Sequence, residues 1–228
     1  MRRISHIVFA LFVSLTASQA MAGALDAISS GDASAGVKAA LSKGADYAVS
    51  SLGASNGFLG NEKVRIPLPG YLEQGQKALR MFGLGKQADQ LVETMNHAAE
   101  NAVAEAKPIL VDSIKKMSVM DAKSILTGGD DSVTQYFRTS SSEQLIAKFM
   151  PIVKASTKKL QLAEQYNQLA GKAASMGLLD KNNADIDSYV TNKAMDGLFL
   201  MIAEEEKKLR SNPVAAGSAL LSKVFGAL

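Results

Sequence analysis

Few side chains in this sequence could do chemistry, and their spacing is specific. Glu93, His97 and Glu100 stand at i, i+4 and i+7, which lines up three potential metal ligands on one side of a helix. A di-iron bundle needs a Glu-x-x-His pair on each of two helices, and His97 is the one His beyond residue 22. At 100° per residue, Ala88, Leu91, Val92, Met95, Ala99, Ala102, Val103 and Ala106 gather in one direction. Glu93, His97 and Glu100 point the other way, so the periodicity predicts a solvated face and no metal.

Hydrolase chemistry is poorly served. Cys is absent, His97 is the one imidazole available to a triad, and no Ser is expected in a nucleophile elbow. Met117 and Met120 form an M-x-x-M pair that would suit Cu(I), yet no His or Cys lies near, and core gap-filling accounts for them better. Gly128-Gly129-Asp130-Asp131 reads as a helix end followed by an N-cap at Asp130, because adjacent carboxylates suit neither an anion site nor a calcium loop.

Glu204–Arg210 offers two acid-before-base pairs at i, i+4, Glu204 with Lys208 and Glu206 with Arg210. Glu206 differs from the others. On a helix from 187 to 210 it falls in the arc of Met195, Leu198, Phe199, Ile202 and Leu209. A carboxylate there must be paired, and Arg210 is the nearest cation, with Arg80 or Arg138 within reach from other helices.

The elements that position these residues are helices. Apolar positions recur at three-to-four spacing and period-two alternation is nearly absent. Helices are predicted over 33–52, with Val37, Leu41, Ala48 and Leu52 on one side, then over 71–82 and 86–107, with a restart at Pro108. A short helix opens at Ser118, capped with Asp121, and another runs from Asp130 to about 138. A longer pattern covers 143–176 with an interruption at Pro151. A helix starting at Asp185 or Asp187 reaches 210, and an amphipathic piece follows over 214–225. Between the first two helices lies GASNGFLGNEKVRIPLPG (53–70), in which only 64–66 could be extended. A flexible linker would be polar. Phe58, Ile66 and Leu68 therefore predict a long ordered loop packed on the bundle, and with Glu206 and Arg210 they are the candidate binding residues.

The N-terminus carries Arg2 and Arg3, an apolar run over 7–15, and Ala20-Met21-Ala22. That is the pattern of a secretory signal peptide, too short to cross a bilayer and without a Cys for lipid attachment. Residues 1–22 are thus expected to be removed and 23–228 to fold as one exported domain, periplasmic in a Gram-negative cell. Without Arg2 and Arg3 the 25 basic residues fall to 23 against 22 acidic, which gives no general attraction to nucleic acid or anionic membranes. Zero Cys excludes disulfide staples, so stability must come from the core. No later stretch is long and apolar enough to anchor the chain in a membrane.

Four stretches carry a family resemblance: GFLGNEKVRIPLP (57–69), MNHAAENAVAEAKPI (95–109), MSVMDAKSILTGGDDSVTQYF (117–137) and AMDGLFLMIAEEEKKLRSNP (194–213). With them the chain resembles the bacterial family called domain of unknown function 4197, over essentially all of 23–228. His97 departs from the Arg usual there. The resemblance implies an exported helical domain and brings no activity.

The resulting expectation is an all-α, single-domain helical bundle without catalytic residues, metal or cofactor. It would serve as a non-catalytic binding or structural module for an apolar ligand or an envelope protein. The alternative is a carboxylate-dependent enzyme drawing on Glu93, Glu100, Asp121, Asp130 or Glu206. Export has a direct check: N-terminal sequencing of the protein from its host is expected to begin at Gly23, and a start at Met1 or Arg2 would remove the signal peptide.

Overall fold

In a computed structural model, the described residues are 30–74, 76–176, 185–212 and 224, and they are all-α, with no strand among them. The elements are α1 (Ser30–Leu52), α2 (Gly70–Gln74), α3 (Gln76–Met81), α4 (Gly85–Ala104), α5 (Lys107–Lys116), α6 (Val119–Thr127), α7 (Ser132–Thr157), α8 (Gln161–Ser175) and α9 (Ile186–Ser211).

Local chemistry sets many of the boundaries. Pro108 sits in the first turn of α5, where its missing N–H would have had no helical partner. Ser118 and Asp121 form a reciprocal capping box at the start of α6, at 3.1 and 2.9 Å. The Ser118 side chain and backbone hydrogen bonds hold the Asp121 carboxyl below its ordinary range. Asp185 caps α9 by accepting the Ser188 amide at 2.7 Å.

Helix α9 lies at the centre, packed against α7, α1, α4 and α8. Its apolar arc is buried as the periodicity requires, including Met195, Leu198, Phe199, Ile202 and Leu209. Val37, Leu41, Ala48 and Leu52 of α1 are buried in the same contiguous apolar cluster. Loop 53–69 is ordered across this bundle. Phe58, Ile66 and Leu68 are buried, and the Phe58 ring lies so close to Gly197 of α9 that an added Cβ would stand 2.6 Å from it.

Several expectations are corrected. Residues 64–66 form no strand: the Val64 and Arg65 amides donate to the Asn61 carbonyl, and Ile66 is served by the Asn96 side chain. The helix expected over 71–82 is seen as α2 and α3 on either side of residue 75, which lies outside the described residues. α7 passes straight through Pro151, and the break falls at 158–160. Pro151 and Ala147 both lie on the exposed side of α7, where water can serve the carbonyl that proline leaves without a donor. α7 also begins later than expected: Asp131 and not Asp130 holds the cap position, and its side chain makes no capping bond. Lys208 pairs with Glu205, while Glu204 reaches Lys63 in the loop. Of the methionine pair, Met117 is buried but Met120 is 72% exposed. The segments 1–22 and 214–225 lie outside the described residues, apart from Val224, which is buried and packs against Gly36.

Gly197→Ala is expected to destabilise the protein by about 1–3 kcal/mol, because the added Cβ would stand 2.6 Å from the buried Phe58 ring and 3.4 Å from buried Val64. Urea denaturation reads this directly, and an unchanged midpoint would show that the ring gives way at no cost.

Candidate functional site

Two buried carboxylates among the described residues, Glu100 and Glu206, mark two places in the fold. The first is where α4 meets loop 53–69. Asn96 and Glu100, one turn apart on α4, are both buried and face the loop. Glu100 Oε1 accepts the amides of Phe58 at 3.0 Å and Leu59 at 3.2 Å, and Oε2 accepts that of Asn56 at 3.2 Å. Asn56 adopts a positive φ of 60°, a conformation Asn tolerates better than most residues. Three converging amides make an anion-binding concavity, and the chain's own carboxylate fills it. His97 Nδ1 lies 2.8 Å from Glu100 Oε2, and with a carboxylate as acceptor this nitrogen carries the proton.

Asn96 completes the clamp. Its Oδ1 accepts the Ile66 amide at 2.8 Å, and its Nδ2 donates to the Ile66 carbonyl at 2.9 Å. The side chain thus does for Ile66 what a neighbouring strand would do. Tyr189 of α9 donates its hydroxyl to the Pro67 carbonyl at 3.2 Å. Burial, helped by the charges of Glu73 and Tyr166, pushes the Tyr189 phenol up to about 12, so it stays a neutral donor at physiological pH.

The second place is where α9 meets the start of α7. Glu206 Oε1 accepts the Val133 amide at 3.0 Å, and Oε2 accepts the Thr134 amide at 3.1 Å and its hydroxyl at 3.2 Å. Arg210 donates to Oε1 through Nε at 3.2 Å and Nη2 at 3.1 Å, and Nη2 also reaches the Ile125 carbonyl at 2.9 Å. A helix start has unpartnered amides and partial positive charge, and a helix end has the reverse. Glu206 serves the start of α7 and Arg210 the end of α6, so one ion pair ties three helices.

The sequence-derived candidates therefore divide between two locations. Phe58, Ile66 and Leu68 belong to the core beneath the loop, with their apolar surface already covered by the chain. Glu206 lies nine residues beyond Gly197, about 13 Å further along α9, and Arg210 lies one turn beyond Glu206. Glu206 is buried and bonded to Arg210 as the arc requires. Arg80 instead pairs with Asp89, and Arg138 stands over the Phe199 ring at 4.6 Å. A cavity of about 10 Å³ beside Glu206 is lined by Ala40, Gly44, Val133, Ile202 and Leu209, room for about one water.

Two readings of α4 change. Glu100 does not face solvent: loop 53–69 covers that side, so α4 is buried on two faces, while Glu93 stays exposed and His97 partly so. Asn96 was not a candidate at all. A signal existed nonetheless, because a loop with buried apolar side chains and no strand partner needs side-chain acceptors for its amides. The glycine spacing of a nucleophile elbow does occur, at GASNG (53–57). Ser55 there follows α1 in a turn, not a strand leading into a helix. Both ring nitrogens of His97 are turned towards carboxylates, Nδ1 to Glu100 and Nε2 to Glu93 at 3.8 Å. Among the described residues no cluster of His, Cys, Asp or Glu could hold a metal ion.

Replacing these carboxylates separates their roles. Glu206→Gln is expected to cost about 3 kcal/mol and lower the melting temperature, since the carboxylate charge facing Arg210 is removed in a site that is nearly closed to water. Glu100→Gln is expected to loosen the loop, so that trypsin cuts after Lys63 or Arg65 while the wild type resists. Equal melting temperatures or equal cleavage would remove the respective role.

Comparison with curated proteins and with solved structures finds no match. A family model described as Protein of unknown function (DUF4197) matches residues 27–226, which hold α1 to α9 together with the loop, Asn96, Glu100, Glu206 and Arg210. The chain belongs to that family.

Proposed function

We propose that this protein is an exported, non-catalytic helical module whose role is binding or structural and is exercised at its surface. The observation that carries this reading is the use made of its buried carboxylates. Glu100 and Glu206 have both oxygens engaged by backbone amides, by His97 or by Arg210. A general acid or nucleophile needs an oxygen facing the substrate, and these face their own chain. The small, mostly apolar-lined cavity beside Glu206 has room for nothing larger than about one water. Export is supported by the basic, apolar and small-residue pattern of residues 2–22. Among the described residues no helix is long and apolar enough to cross a membrane.

In a Gram-negative host, permeabilising the outer membrane is expected to expose the chain to added protease while cytoplasmic proteins stay protected. Native mass spectrometry of protein from that compartment is expected to show a co-purifying macromolecule or lipid. Protection alongside the cytoplasmic proteins would end the export reading. A turnover lost on His97→Ala at unchanged melting temperature would end the non-catalytic one.

A further inference from the structure

Most large apolar side chains of the described residues are covered, which makes the exceptions informative. Met81 and Phe82 are the most exposed of them, at 86% and 81%. They are consecutive, at the end of α3, where the chain turns through Gly83 with a positive φ of 76° before α4 begins. α3 packs chiefly against α4 and α2, so this turn stands at the edge of the bundle rather than over its core.

Cations predominate around the turn, with Asp89 the carboxylate that meets one of them. Lys77, Arg80 and Lys86 flank the apolar pair and all three are exposed, while no acidic residue occurs between Glu73 and Asp89. Arg80 does pair with Asp89 at 3.0 Å, but both side chains are more than half exposed. Such a pair is weak in water and its guanidinium can exchange one oxyanion for another. An apolar tip ringed by cations has the composition of an interfacial membrane contact: Phe and Met enter the acyl boundary while Lys and Arg stay at the phosphates.

We propose that the turn bearing Met81 and Phe82 docks this protein onto an anionic lipid surface, with Lys77, Arg80 and Lys86 meeting the lipid phosphates. A second copy of the chain is a poorer occupant. A stable protein interface buries about 1,200 Å² or more, far beyond two side chains, and two such tips would bring like charges together. The contact is peripheral and reversible, because two side chains and three cations fall well short of a spanning helix.

The chain contains no Trp, so Phe82→Trp places a single indole at the tip. With the full protein and vesicles containing phosphatidylglycerol, its emission is expected to shift to the blue and to be quenched by lipids brominated on the acyl chains. Vesicles of phosphatidylcholine alone should leave it unchanged. In flotation assays, Met81→Ser with Phe82→Ser is expected to weaken partition to phosphatidylglycerol vesicles at least about tenfold. Leu169→Ser, at another exposed apolar position, serves as the control and should bind as wild type. Raised salt should weaken binding as well, through screening of the three cations. An emission unchanged by anionic vesicles, or partition that survives the double substitution, overturns the proposal. So does a concentration-dependent dimer that the double substitution abolishes in the absence of vesicle binding. Vesicle binding is measured without reference to compartment or turnover, so its failure is separate from failure of the exported, non-catalytic reading.

Discussion

The interaction on which the arrangement of helices most depends is the one between Glu206 and the first turn of α7. Every helix begins with amides that have no partner inside it, and they must find acceptors when the helix start is buried. α7 carries Asp131 at the position where a cap would stand, yet that side chain makes no capping bond. The acceptor comes from α9 instead, across more than seventy residues of chain. Burying a carboxylate costs several kcal/mol unless its charge is met, and here it is met by two amides, a hydroxyl and Arg210. Because Arg210 also holds the Ile125 carbonyl, the same ion pair fixes the orientation of α6.

Loop 53–69 obeys the same requirement in a different form. Its apolar side chains draw it onto the bundle, and burial strips water from its backbone. No strand is present among the described residues to pair with it, so Asn96 and Glu100 of α4 act as the partners. Gly197 makes the approach possible by leaving room for Phe58. The loop is thus clamped from α4 by hydrogen bonds and from α9 by packing, and its apolar side chains join the core.

A functional consequence follows from this use of polar groups. The carboxylates that stand deepest, where a low dielectric would make them most reactive, are committed to backbone amides. Outward, among the described residues, stand the partly exposed His97 with Glu93, the surface ion pairs, scattered apolar side chains such as Met120, Leu169 and Met176, and the apolar turn at Met81 and Phe82. Of these, the turn holds the two most exposed large apolar side chains, adjacent to one another, an unfavourable exposure in water. An unfavourable feature that is small, charged at its rim and held at the edge of the bundle is best understood through what it touches.

Much of this was legible in the residues. The three-to-four spacing determined the helices, the α9 arc determined that Glu206 is buried, and the i, i+4 order determined that Arg210 is its cation. The apolar content of the loop determined that Phe58, Ile66 and Leu68 pack inward, and Ser118 with Asp121 wrote their own cap. These are local facts, settled by residues within a turn or two of one another. The tertiary structure alone decided the partners that lie far apart in the chain. It covered a second face of α4, turning Glu100 from an apparent surface residue into a buried acceptor and giving Asn96 a role. It capped α7 from α9, and it let α7 continue through Pro151 because that side of the helix meets water. Periodicity reports which side of a helix is apolar, but it does not say how many sides are covered. Nor does it say which distant amide will lack a partner once they are.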